Sequence, residues 1–144
     1  MGQHVLVPVD GSAQSEKAFE YVLDEIPEPK VTLLHVIDPV NIMGYGSDDY
    51  FDVEGYQEEV KRQHDRDEAM LEDYRDTATA RGIEAETILT TGKPARRILE
   101  TVETNDVDHI VMGSRGRSGV GRVLFGSVAE TVTRRASVPV TIVR

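Results

Sequence analysis

Twenty-one consecutive residues, His109 to Ala129, contain no Asp or Glu, in a chain that carries 26 of them. Arg115, Arg117 and Arg122 lie inside that window, interleaved with Gly113, Gly116, Gly119, Gly121 and Gly126. Guanidinium groups fork onto anionic oxygens, and glycines let backbone N–H groups come close to a phosphate. The chemistry this suggests is anion binding; the plainer alternative is a Gly-rich surface loop that binds nothing. The window runs into Ser127-Val128-Ala129-Glu130, the S-x-x-E form of a capping box. Ser127 is therefore predicted to cap a helix whose N-terminal dipole adds to the attraction for anions. A second cluster, Asp10-Gly11-Ser12, offers a carboxylate near the start of the chain.

The rest of the chain sharpens that contrast. Its 144 residues carry a net charge of −10, and Arg outnumbers Lys twelve to four. Such a body repels nucleic-acid phosphates and anionic lipid, so neither nucleic acid nor a membrane is the expected partner. Two readings of the acidity stay open, an ordinary cytosolic protein and one adapted to a salt-rich cytoplasm. The absence of cysteine removes disulfides and thiolate chemistry. No secretory pattern or membrane-length apolar run is visible, so a cytoplasmic single domain over residues 1–144 is expected.

Alternating short apolar runs and helical periods supply the frame. His4 to Val9 reads as a buried strand, and Ser12 as the cap of a helix with Ala18, Phe19, Val22, Leu23 and Ile26 inward, stopped by Pro27 and Pro29. Val31–Ile37 is a second strand. Residues 38–55 mix glycines, acids and aromatics without period and are expected to form a long flexible loop. A helix follows from Tyr56 to Arg81, with Tyr56, Val60, Leu71, Tyr74 and Ala78 on one stripe, a polar first half directed to solvent, and Gly82 at the C′ position. Glu84–Thr91 is a third strand, Pro94 opens a third helix, His109–Met112 is a fourth strand, and Val138–Val143 a fifth after a helix with Val128, Val132 and Ala136 inward. This alternation predicts an α/β fold, a doubly wound five-stranded parallel sheet with helices on both faces, for which a Rossmann-like order of 3-2-1-4-5 is expected.

In such a sheet the ligand crevice lies beyond the carboxyl ends of the strands where the order reverses, here between the first and fourth. Pro8-Val9-Asp10-Gly11-Ser12 and Met112-Gly113-Ser114-Arg115-Gly116 arrive there. A P-loop is absent, and DGSAQS after the first strand is not a dinucleotide fingerprint. Gly113-Ser114-Arg115-Gly116, nine residues, then Gly126-Ser127 is instead the spacing G-x-x-G, nine, G-[ST]. With VLVPVDGS, LLHVID, Gly92-x-Pro94 and the closing PVTIV, the whole chain resembles the ATP-binding subgroup of the universal stress protein family.

The resemblance implies an adenine nucleotide, ATP, with Mg²⁺ held mainly through the phosphates. Pro8, Val9 and Asp10 would meet the nucleoside, Asp10 by hydrogen bonding ribose or adenine. Val36 would pack on adenine and pair with it through its backbone. Met112 and Gly113 would flank ribose and first phosphate, and Gly116, Gly126, Ser127 and Val128 would cradle the phosphates. Arg115 and Arg117 are expected near phosphate on charge grounds. The resemblance also implies a homodimer through strand 138–143 and a nucleotide-dependent regulatory role read by a further protein partner, with little or no hydrolysis. Autophosphorylation and a preference for AMP or cyclic AMP occur in parts of the family and stay open. An adenylating enzyme of the ATP pyrophosphatase group is a weaker alternative, because DGSAQS lacks that group's paired glycines. A phospho-acceptor receiver domain is disfavoured by ILTTG at the third strand and by the lack of Lys after Lys93. Asp10 and Ser127 also have purely structural readings as helix caps. The four histidines show no ligand spacing, His35 and His109 reading as core or edge residues and His64 with Glu68 as a solvated helix face.

Overall fold

The computed structural model describes residues 2–39, 53–114 and 126–144. Five strands run β1 His4–Pro8, β2 Lys30–Ile37, β3 Glu84–Thr91, β4 His109–Gly113 and β5 Val140–Val143. Four described helices alternate with them: α1 Ala13–Glu25, α2 Val53–Ala80, α3 Pro94–Thr104 and α4 Ser127–Arg135. All pairings are parallel and the order is β3-β2-β1-β4-β5, as the sequence predicts. The direction of winding therefore reverses between β1 and β4.

Side chains alternate across the sheet and divide the core in two. Val5, Val7, Val9, Val31 and Leu33 face α1 and α2, meeting Ala18, Phe19, Val22, Leu71 and Ala78. Leu6, Leu34, Ile110 and Met112 face the other way, against Ile98 and Val102 of α3 and Ala129 and Val132 of α4. Each buried side chain of this size contributes about 1.5–3 kcal/mol. The stripe on α2 that the sequence predicts is present in Leu71, Tyr74 and Ala78; Phe19 and Tyr74 meet edge to face at 5.0 Å.

Helix ends follow local chemistry. Ser12 Oγ accepts from the Ser15 N–H and caps α1, while Pro94 stands in the first turn of α3, where its missing N–H costs nothing. Gly82, at φ 74°, closes α2 in a Schellman motif, with Ile83 N–H to Ala78 C=O and Gly82 N–H to Thr79 C=O.

Three expectations need correction, and a fourth, the inward face of the last helix, holds with Ala129 added. The loop expected over 38–55 ends earlier, because Val53-Glu54-Gly55 already belong to α2, with Glu54 in the first turn where the dipole favours an acid; residues 40–52 lie outside the described residues. The polar first half of α2 is exposed at most positions, yet Asp67 is buried. The last strand begins at Val140 rather than Val138, since Pro139 has no N–H for the ladder. The buried face of α4 centres on Ala129 and Val132, with Val128 and Ala136 partly covered at its margins.

Candidate functional site

At the carboxyl end of β1 the chain is held residue by residue. Val9 N–H donates to Leu34 C=O at 2.9 Å, and Val9 C=O accepts from His35 Nδ1 at 2.7 Å. Asp10 Oδ1 accepts from the Ser12 N–H at 2.9 Å, an Asx turn around Gly11 at φ 80°. Ser15 Oγ accepts from the Asp10 N–H, donates to Ser12 C=O and meets the Tyr74 hydroxyl at 3.3 Å. Asp10 therefore shapes the turn that starts α1. This is the local structural role that the residue type allows.

Beside it, β4 delivers Met112 and Gly113. Met112 is buried in the core toward α3 and α4, so the residue can meet a ligand only through its backbone. A Cβ on Gly113 would stand 2.8 Å from the backbone of Gln14. Only glycine allows the start of α1 to come this close to β4, which brings the two strand ends together. Ser114 N–H then donates to Val143 C=O at 3.1 Å, and Ser114 C=O accepts from the Gly126 N–H at 2.7 Å. Ser114 and Gly126 are thus joined directly by one hydrogen bond. Arg115, Gly116 and Arg117 lie outside the described residues.

The helix that follows corrects the capping box. Gly126, not Ser127, occupies the N-cap, with φ −72° and ψ 165°, and as a glycine it brings no capping side chain. Ser127 stands inside the first turn, one position too late for its hydroxyl to reach the N–H groups that an N-cap side chain serves. The first-turn amides of α4, at Ser127, Val128 and Ala129, therefore receive no side-chain cap from the N-cap residue at the end of the motif. They carry the positive end of the helix dipole, and Arg134 and Arg135 complement the other end.

Val36 completes the arrangement from β2, half-buried and opposite Thr90 of β3. Leu34 C=O serves the β1 side and Ile37 C=O the β3 side, where it accepts from Gly92. By the two-residue alternation of a strand, Val36 directs its N–H and C=O toward the β1 side, beyond the last residue of β1. The structure therefore brings Pro8, Val9, Asp10, Met112, Gly113, Gly126, Ser127 and Val128 to the carboxyl ends of β1 and β4, with Val36 one strand away.

Sequence reasoning missed Asp67. It is 3% exposed, accepts from Gln63 Nε2 at 3.1 and 3.0 Å, and lies 3.3 Å from His35 Nε2. The signal was available, since Asp67 stands four residues before Leu71 and seven after Val60, on the buried stripe of α2. His64, Asp65 and Glu68 bring ligand atoms within 4.8 Å of one another, but all three are exposed among the ion pairs of the solvated face. His109 bonds Gln3 and Thr141 at the opposite end of the sheet, and partial burial holds its pKa below 6.5. Two open hollows, on α2 beside Gln63, Arg66, Asp67 and Met70 and between α3 and α4 beside Glu103 and Arg135, do not involve the strand ends. No described helix is long and apolar enough to cross a membrane.

The same fold exists elsewhere. The sequence model of the Universal stress protein family matches residues 1–144. Universal stress protein YxiE of Bacillus subtilis is 32% identical, with both chains covered in full. Among solved structures, protein MJ0577 of Methanocaldococcus jannaschii superposes with a TM-score of 0.81 at 29% identity, over 99% of this chain and 96% of that one. A universal stress protein in complex with cAMP gives 0.65 at 25% identity, over 99% and 97%. The chain belongs to the universal stress protein family.

Proposed function

We propose that this universal stress protein binds an adenine nucleotide, ATP with Mg²⁺, and acts as a nucleotide-dependent regulator rather than as a turnover enzyme. The observation that carries this reading is the junction at Gly126. A glycine N-cap is bonded to the residue after β4 and brings no capping side chain to the first turn of α4, at the close of the G-x-x-G, nine, G-S spacing. Phosphate oxygens take the amides of Ser127 and Val128, with Gly126, whose own N–H is held by Ser114, giving them close approach, Gly116 completing the cradle and Arg115 and Arg117 adding charge. The nucleoside lies toward β1 and β2. Val36 offers its backbone to adenine, Pro8 and Val9 line the cleft, Asp10 accepts from ribose or adenine, and Met112 and Gly113 border the first phosphate.

The acid-free window provides no carboxylate for the metal, so Mg²⁺ sits on phosphate oxygens and water. For the same reason the window supplies no carboxylate base for the attacking water of a hydrolysis step, and turnover is slow or absent. The solved relative in complex with cAMP supports a second reading, in which the occupant is a cyclic or monophosphate nucleotide on the same strand ends. A homodimer through the edge strand β5, whose four residues are only half-buried, and a protein partner that reads nucleotide occupancy complete the proposal.

Mass spectrometry of small molecules released from freshly purified protein, followed by calorimetry with Mg-ATP, ADP, AMP and cAMP, tests it. An adenine nucleotide at about one per chain is the expected result. Absence of heat with all four ligands overturns the reading.

A further inference from the structure

Among the described residues, the His35–Asp67 pair is a buried polar pair near the strand ends to which the nucleotide reading gives no part. His35 is 7% exposed on β2, and its neighbours on that face of the sheet, Val7, Val9 and Leu33, are apolar. Its Nδ1 lies 2.7 Å from Val9 C=O and its Nε2 3.3 Å from a carboxylate oxygen of Asp67. A backbone carbonyl only accepts, so Nδ1 carries a proton; a carboxylate likewise accepts, so a second proton lies between Nε2 and Asp67. Asp67, itself held by Gln63, fixes the ring from the other side.

Apolar side chains of similar volume would fill this space at least as well, because burying a carboxylate with an imidazole is expensive. What they would not do is hold Val9. The strand β1 ends at Pro8, and His35 gives the next carbonyl the hydrogen bond that a continuing ladder would have given. Val9 leads directly into Asp10, Gly11 and Ser12.

We propose that His35 is a positioning residue for the nucleoside-binding loop: its Nδ1–H clamps the Val9 carbonyl, and Asp67 of α2 aligns the ring. The relay Gln63–Asp67–His35–Val9 ties α2 to the cleft. The assignment rests on the nucleotide reading above for its function, though not for its geometry.

Three variants test it. His35→Asn keeps a donor at the Nδ1 position, His35→Leu removes it, and His35→Leu with Asp67→Leu also removes the orphaned buried carboxylate, so that the fold is retained. Without ligand, nitrogen-resolved NMR of the wild type is expected to show a proton on Nδ1. Amide exchange at Asp10–Ser15 is expected to quicken about tenfold in the double-leucine variant and stay near wild type in His35→Asn. With Mg-ATP, Kd is expected to rise at least tenfold in the double-leucine variant and less than threefold in His35→Asn. An unprotonated Nδ1, or equal loop exchange in the asparagine and double-leucine variants, overturns the clamp. Unchanged affinity in the double-leucine variant overturns its role in binding. A wild type that binds none of the nucleotides fails the parent reading alone, since the proton and the exchange rates still decide the clamp.

Discussion

His109 is the residue whose titration bears most directly on stability. Burial without a charged partner holds its folded pKa below 6.5, so the unfolded chain binds more protons once the pH falls under that value. Its contribution is complete above pH 6.5 and is lost as the pH falls toward its folded pKa. In thermal melts between pH 7.5 and 5.5, His109→Gln should therefore show a weaker acid loss of Tm than wild type; parallel losses contradict the assignment. Gly113→Val is expected to cost about 1–3 kcal/mol by urea denaturation, because the new Cβ meets the Gln14 backbone at 2.8 Å. The same substitution should abolish nucleotide binding. At this scale the sequence is readable where the reason is local. Ser12 as a cap and Gly113 as a site residue follow from neighbours in the chain. Asp67 does not, since only tertiary contact with His35, 32 positions away, explains an acid on a buried stripe.

Helix ends separate stability from binding. Gly82→Ala places a Cβ at φ 74° with open space around it, so only the backbone strain counts, about 1–2 kcal/mol by urea denaturation. Gly126→Asp does the opposite. Its carboxylate would cap α4 and interact with the dipole, raising stability by a few tenths to about 1 kcal/mol while occupying the amides assigned to phosphate. Melting temperature and nucleotide affinity should therefore move in opposite directions; unchanged Mg-ATP affinity would remove α4 from the site. Most elements are legible because their periods are strong and their stops are Pro or Gly, as β3 at Glu84–Thr91 and Gly82 illustrate. The misplaced cap at Ser127 has a plain cause. An S-x-x-E pattern fits equally well one residue along, and the bond from Gly126 to Ser114 sets the register, which only the closed sheet reveals.

For the whole molecule, the parallel sheet covered on both faces follows from the β-α alternation, whereas its order, and so the place of the reversal, comes from the Rossmann-like pattern, since alternation alone also allows 2-1-3-4-5; the charge contrast points to the same edge. A body of net charge −10 should gain stability as salt screens its self-repulsion, so Tm is expected to rise from 0.05 to 1 M KCl; a fall contradicts that view. Sedimentation equilibrium should give the mass of two chains if β5 is covered by a second copy, and of one chain if it is not. The central claim concerns place as much as affinity. Isotope-labelled protein titrated with Mg-ATP tests both by amide NMR. The account predicts saturable shifts at Val9–Ser12, Val36, Met112–Gly113 and Gly126–Val128, with β5 and the exposed face of α2 unmoved. No shifts, or shifts confined to α2 or to the α3–α4 hollow, would contradict it.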